Sequence, residues 1–325
     1  MRPRLKNWFK ELLLDIYQVT STLFKIMIPT LLVVKLLEEM GGVELIAWVL
    51  GPVMAFVGLP ESMGLVWATT LLTNIYTGMI IFFNVAQSES LTVAQVTVVG
   101  TMMLVAHTLP IEARIAQKAG VRLGVTLLIR LSSALLLGFM LHHLYAWGGW
   151  LQQPNQLLWS PSVIDSSLQA WLVSQVQSLG MILLIISLLL TTLKLLRLLH
   201  IERLLHWLLQ PVLRLLGIGP TATTITIVGF TLGLAFGGGL LIKEAKAGHV
   251  PYRDVFSAMT LLALCHSVIE DTLLILLLGA DISGILWMRL LFGFLVVALV
   301  SRLMNRSSEQ FHRRYLVREP EAAKP

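Results

Sequence analysis

Several stretches of this chain come close to the length of a bilayer core while carrying few charges. Hydrocarbon about 30 Å thick is crossed by roughly 20 mostly apolar residues in helical form. The runs 96–113, 125–141, 172–193, 255–278 and 285–303 reach or approach that length. Only 13% of the 325 residues are charged, against roughly 25% in a soluble domain. That is too few to cover a globule of this size in water. The chain is therefore read as a membrane protein.

The net charge of +6 does not call for nucleic acid. Its lysines and arginines sit in short clusters between apolar runs, as the positive-inside bias of cytoplasmic loops requires. The single cysteine, Cys265, lies within an apolar run, so there is no disulfide framework. The start, Met1-Arg-Pro-Arg-Leu-Lys, resembles a signal-peptide n-region. However, the apolar stretch 23–37 leads into Glu38 and Glu39 without a small-residue cleavage pattern, so it is read as a retained first helix.

One offset recurs along the whole chain. The step that separates His107 from His266 also pairs Lys35 with Lys194, Trp48 with Trp207 and Pro52 with Pro211. It pairs Gly58 with Gly217, Gly78 with Gly237, Gly120 with Gly279 and Arg130 with Arg289 as well. Leucine matches mean little in such a chain, but Trp, Pro, His and Arg in one ungapped register are hard to obtain by chance. Residues 18–146 and 172–305 are read as two copies of one unit. They are flanked by an amphipathic segment 1–17, an external linker 147–171 and a basic tail 306–325.

Each unit has five segments, in the first copy 16–37, 43–57, 63–85, 96–113 and 123–145. If 63–85 crossed the bilayer, Arg114, Lys118 and Arg122 would lie outside, and the linker 147–169, which has no Lys or Arg, would lie inside. A re-entrant hairpin at 63–85 puts every basic cluster in the cytoplasm. A hairpin at 222–242 does the same for 194–214, for Lys243, Lys246 and Arg253, and for the tail. Three crossings per unit invert the second copy relative to the first. The expected fold is an all-α polytopic membrane protein of two inverted-topology repeats. Each has three transmembrane helices, one in-plane helix and one re-entrant helical hairpin, with both termini in the cytoplasm of a bacterial inner membrane. The stripe Arg197, His200, Arg203, His206, Gln210 and Arg214 marks the in-plane helix. Trp147, Trp150, Trp159 and Trp171 suit an external aromatic belt.

The hairpin centres are rich in small and polar residues: Thr73, Asn74, Thr77 and Gly78 in the first, Gly233, Gly237, Gly238 and Gly239 in the second. Such residues let backbone turn inside a membrane where it faces protein or a wet cavity. They equally make close helix-packing seams. His107 and His266 are ionisable residues within apolar helices, a costly placement that points to function. Imidazole can carry a proton, ligate a metal or hydrogen-bond a solute; the bland reading is a bond to a neighbouring helix. Pro110 can open the helix beside His107 and free the carbonyl of Ala106. Glu112 and Arg130 flank the Gly120 turn at similar depth, about 12–15 Å from it. Glu270 and Asp271 stand likewise to Arg289 across Gly279. Two intramembrane ion pairs are expected, Glu112–Arg130 and Glu270 or Asp271 with Arg289. The second has a carboxylate to spare for a cation or proton.

A duplicated unit of in-plane helix, polar-tipped hairpin and a helix bearing His-Thr-Leu-Pro-Ile-Glu (107–112) or His-Ser-Val-Ile-Glu-Asp (266–271) resembles the nucleoside-recognition, or Gate, domain proteins. That group includes parts of the concentrative nucleoside transporters, the membrane core of ferrous-iron transporter B and the spore maturation proteins A and B. The hairpins lack the acidic signatures of the nucleoside carriers, and the GTPase domain and core cysteines of the iron transporter are missing, so neither substrate carries over. The resemblance implies a carrier of a small solute, nucleoside-like or cationic, with H+ or a cation as coupling partner. The candidate site residues are His107, His266, Glu112, Glu270, Asp271, Thr73, Asn74, Thr77, Gly237 and Gly238. The alternative is a membrane scaffold or regulatory subunit of the same fold. No Walker, nucleotide-loop, H-E-x-x-H or G-x-S-x-G motif occurs, so no enzyme, cofactor or dedicated metal centre is expected. Lipid is the expected surrounding, and self-association is left open.

Overall fold

The computed structural model describes residues 2–157, 168–198 and 201–318; Trp159 and His200, named above, lie outside them. Among the described residues the regular structure is helical, joined by turns and short loops, with two isolated β-bridges. The first half contains α1 (Arg2–Glu39), α2 (Gly42–Phe56), α3 (Met63–Leu72), α4 (Ile75–Val85), α5 (Val93–Val105), α6 (Leu109–Ala119) and α7 (Leu123–Gly148). The second contains α8 (Leu168–Leu198), α9 (Ile201–Leu215), α10 (Pro220–Leu232), α11 (Leu234–Lys246), α12 (Tyr252–Leu264), α13 (Val268–Leu276) and α14 (Arg289–Arg306). A π-helical turn, Ser283–Met288, leads into α14.

Five helical spans among the described residues are long and apolar enough to cross a bilayer, and α5 with α6, bent by 40°, makes a sixth if counted as one. The core is apolar, but so is much of the outer surface. On α7 the Leu128 side chain is 69% exposed while Arg130, two residues on, is fully buried. On α14 Leu295 and Leu299 are exposed while Arg289 is buried. Rows of exposed leucine over a buried arginine suit a helix whose outer face meets hydrocarbon.

Local chemistry sets the element ends. Thr92 and Gln95 close a reciprocal capping box at the start of α5, which satisfies two backbone donors that the first turn leaves free. Asn74 caps α4 by accepting from the Thr77 N–H at 2.9 Å. Gly120 and Gly279 turn the chain at φ 107° and 91°, a conformation that a side chain resists.

α3 and α4 pack on each other, as do α10 and α11. Each arm is only 10 to 13 residues long, about 15–20 Å at 1.5 Å per residue. In the first pair, entry and exit meet: Ser62 Oγ donates to Glu89 Oε1 at 2.6 Å. In the second, the Gly219 N–H donates to Asp254 Oδ2 at 3.0 Å.

Contacts sort the connections into two ends joined by α7, 26 residues long. At one end, Asn155 donates its N–H to the Leu91 carbonyl (2.8 Å) and its side-chain amide to Leu278 (3.0 Å). There too Gln95 donates to the Gly58 carbonyl (3.1 Å). At the other end, the Arg122 N–H donates to Leu316 (2.9 Å) and the Arg318 N–H to Gly120 (2.8 Å). Arg253 donates to Asn305 (3.3 Å) and Tyr252 meets buried His312 (3.1 Å). The base of the α3–α4 pair belongs to the first end and that of α10–α11 to the second.

The run 96–113 does not continue through His107 as one helix. α5 stops at Val105 and α6 restarts at Leu109, with Thr108 left-handed at φ 50°. In the second half α12 stops at Leu264 and α13 restarts at Val268, with Ser267 at φ 44°. Pro110 sits in the first turn of α6, where its missing N–H costs nothing, so it follows the break. The second half breaks at the matching place with Ile269 there instead.

Candidate functional site

Each broken helix leaves backbone carbonyls without helical donors, and a buried arginine supplies them. Arg130 Nε donates to Val105 O at 3.0 Å, and Arg289 Nε donates to Leu264 O at 3.0 Å. The two acceptors, like the two arginines, are separated by the same sequence offset as the two histidines. Arg289 also donates to His266 O at 3.1 Å. The freed carbonyl that matters in the first half is therefore that of Val105 and not that of Ala106.

The first break also touches the hairpin beside it, because the Thr108 N–H donates to Thr70 O at 3.1 Å. In the second half Gly233, between α10 and α11, lies so close to Ser267 Oγ that a Cβ there would sit 2.8 Å from it. The hairpin tips are thus drawn against the residues that follow each histidine.

The histidines meet in the middle. His107 Nδ1 lies 3.0 Å from Met103 O, and His266 Nδ1 lies 2.7 Å from Leu262 O. A carbonyl oxygen only accepts, so both Nδ1 atoms carry hydrogen. In neutral rings both Nε2 atoms are then bare lone pairs, and they face each other at 3.0 Å. Glu112 Oε1 stands 3.4 Å from His107 Nε2 and 3.2 Å from His266 Nε2. The other Glu112 oxygen is ion-paired with Arg130 Nη1. Asp271, at the same sequence offset from Glu112, places Oδ2 at 4.0 Å from His107 Nε2, and that oxygen is buried without a hydrogen-bond partner. The other Arg289 terminal nitrogen, Nη1, is likewise buried without one. The hydrogen bonds of Arg289 go to carbonyls, so the Asp271–Arg289 pair drawn from depth alone does not form. Glu270 Oε1 accepts instead from Tyr76 of α4, at 3.2 Å.

The hairpin candidates serve mostly to build the hairpins. Asn74 Oδ1 accepts from both the N–H and the hydroxyl of Thr77, leaving a buried Nδ2 unpartnered. Thr73 Oγ1 is bonded to Thr69 O at 2.7 Å. Gly237 lies against the Gly229 backbone across its hairpin, and Gly238 admits Ile115 from the first half. These glycines act as a packing seam. Tyr76 lies within the same polar tip, but its partner Glu270 is far away in the chain, so only the fold brings the phenol to the carboxylate.

Among curated proteins, the "Uncharacterized membrane protein YvoD" of Bacillus subtilis (strain 168) is 27% identical to this chain over 297 residues, covering 89% of this chain and 93% of that protein. No family model matches the chain, so the Gate resemblance rests on its motifs alone. No solved structure matches either. The apolar helices and this relative together make the chain a polytopic helical membrane protein.

Proposed function

We propose that this protein carries a small solute across the cytoplasmic membrane by alternating access, between two inverted Gate-like repeats whose hairpins re-enter from opposite faces. The observation that carries the reading is the buried polar cluster, to which each half contributes a broken helix, a histidine, a carboxylate and an arginine. Burying six ionisable groups costs several kcal/mol per unpaired charge, and a helix pair can be fixed far more cheaply with leucine. Their symmetry supports a site at the repeat interface, where inverted-repeat carriers bind.

The position of the hairpins supports the same reading. Arms of about 15–20 Å reach halfway into a core of about 30 Å. Their bases belong to opposite ends of α7, one beside the charge-poor linker and one beside the basic tail. With the basic end in the cytoplasm, both termini are cytoplasmic. The two halves then present mirror-related gates to the two faces.

The test is flux into proteoliposomes from a solute library, with His107→Ala and His266→Ala alongside the natural protein. Flux that vanishes in both variants, while each still inserts and runs as a single folded species, is the expected result. Unaltered flux in both removes the cluster from the mechanism. A scaffold would instead show no flux for any solute, and Asn74→Cys (in a Cys265→Ala background) would stay unreactive to aqueous thiol reagents.

A further inference from the structure

We infer that the cluster binds one divalent transition-metal ion, with Nε2 of His107, Nε2 of His266, Oε1 of Glu112 and Oδ2 of Asp271 as its ligands. This rests on the preceding reading of the cluster as the membrane site and names the class of its occupant. Two bare imidazole lone pairs 3.0 Å apart, with a carboxylate oxygen 3.2–3.4 Å from both, are three acceptors converging on one point. Such an arrangement repels itself unless a cation sits at its centre.

The spacing suits a metal. Ligand distances of about 2.0–2.2 Å in tetrahedral array put neighbouring ligand atoms roughly 3.3–3.6 Å apart. The triangle formed by the two Nε2 atoms and Glu112 Oε1 has edges of 3.0, 3.2 and 3.4 Å. It needs to open by only a few tenths of an ångström. The fourth ligand is at hand, because one ligand atom each from His107, His266 and Asp271 lie within 4.8 Å of one another. Asp271 Oδ2 is the buried oxygen without a partner.

The supporting groups fit as well. Metal-ligating imidazoles usually hand their second N–H to a carbonyl or carboxylate, which fixes tautomer and ring plane. Both rings do so, to carbonyls one turn back on their own helices. Arg130 holds the far oxygen of Glu112 and so aims the near one.

Two nitrogens and two oxygens define the class. Magnesium and calcium take oxygen ligands alone, and copper(I) prefers sulfur. Zinc, iron(II), manganese(II) and cobalt(II) accept this mixture. Charge sets the strength. Glu112, Glu270 and Asp271 bring three negative charges and Arg130 and Arg289 two positive ones, so a divalent ion is only partly compensated. Binding is correspondingly weakened, as a site that must load and empty requires.

The experiment uses the full chain in detergent, purified without a polyhistidine tag and stripped with chelator, then titrated calorimetrically with Zn2+, Mn2+ and Mg2+. One Zn2+ or Mn2+ per chain is expected, with no Mg2+ binding. Cobalt(II) should give the visible absorption bands of tetrahedral coordination. His107→Gln, His266→Gln and Asp271→Asn are close in size and remain polar; each should weaken binding by about 100-fold or more, beyond the roughly 10–100-fold typical of residues that only orient ligands. Absence of binding by any transition metal, or affinity unchanged in the histidine variants, overturns the assignment and leaves a shared proton to satisfy the lone pairs. Metal binding with no flux of the metal or of any solute in the library upholds the metal site and overturns the carrier reading. Flux of another solute by protein that binds no metal does the reverse.

Discussion

Arg130 and Arg289 make the same backbone bond in their two halves, yet their charges are handled differently. Arg130 is ion-paired with Glu112, whereas Arg289 spends its donors on carbonyls. Removing one partner of a buried pair costs about 3–5 kcal/mol, since the other charge is left uncompensated. Glu112→Gln should therefore lower the thermal midpoint of chelator-treated protein sharply. Asp271→Asn, which breaks no ion pair, should lower it far less or raise it. Equal losses in the two variants would contradict the asymmetry. Thr108 and Ser267 hold left-handed backbone at φ 50° and 44°, which costs about 1–3 kcal/mol in a residue with a side chain. Thr108→Gly and Ser267→Gly are each expected to stabilise the fold by about 1 kcal/mol after the entropy cost of glycine is deducted. Thermal unfolding in detergent measures this.

Between elements, the connections act as clamps. Asn155 joins the start of α5 to the turn after α13 by two hydrogen bonds, and its side chain lies against Gly279. Asn155→Ala leaves the Leu278 carbonyl without this donor, and a loss of about 1 kcal/mol is expected. At the opposite end, residues 316–318 pair with the Gly120–Arg122 turn, anchored by buried His312 between Tyr252 and Ser307. Truncation after Arg306 should leave helix content nearly unchanged while hydrogen exchange rises at residues 120–122. Protection that survives truncation would show that the tail contributes nothing there.

For the molecule as a whole, the proposed inversion makes a labelling pattern compulsory. In a Cys265→Ala background, Glu89→Cys lies at the base of the first hairpin and Arg253→Cys at that of the second. A membrane-impermeant thiol reagent added to intact cells should reach the first and spare the second, and inside-out vesicles should give the converse. Reaction of both from one face would remove the mirror relation and the alternating-access mechanism with it.

What the amino-acid order determined by itself was the solvent, the constant step between matched residues and the level of Glu112 with Arg130. Long apolar runs have no stable alternative to hydrocarbon, and a constant step between matched residues survives any folding. Helical rise alone brings Glu112 level with Arg130. Depth does not decide azimuth or partner, however, and the same arithmetic paired Asp271 with Arg289, which the fold instead turned onto the carbonyls of a broken helix. The breaks at Thr108 and Ser267 were legible only in part, since Pro110 marks one and nothing local marks the other. Both depend on a buried arginine arriving from another helix to satisfy the backbone. The meeting of His107 with His266, far apart in the chain, and the bare Asp271 oxygen beside them are products of tertiary packing. Lone pairs converge only when two helices are laid against each other in a medium that offers no water to keep them apart.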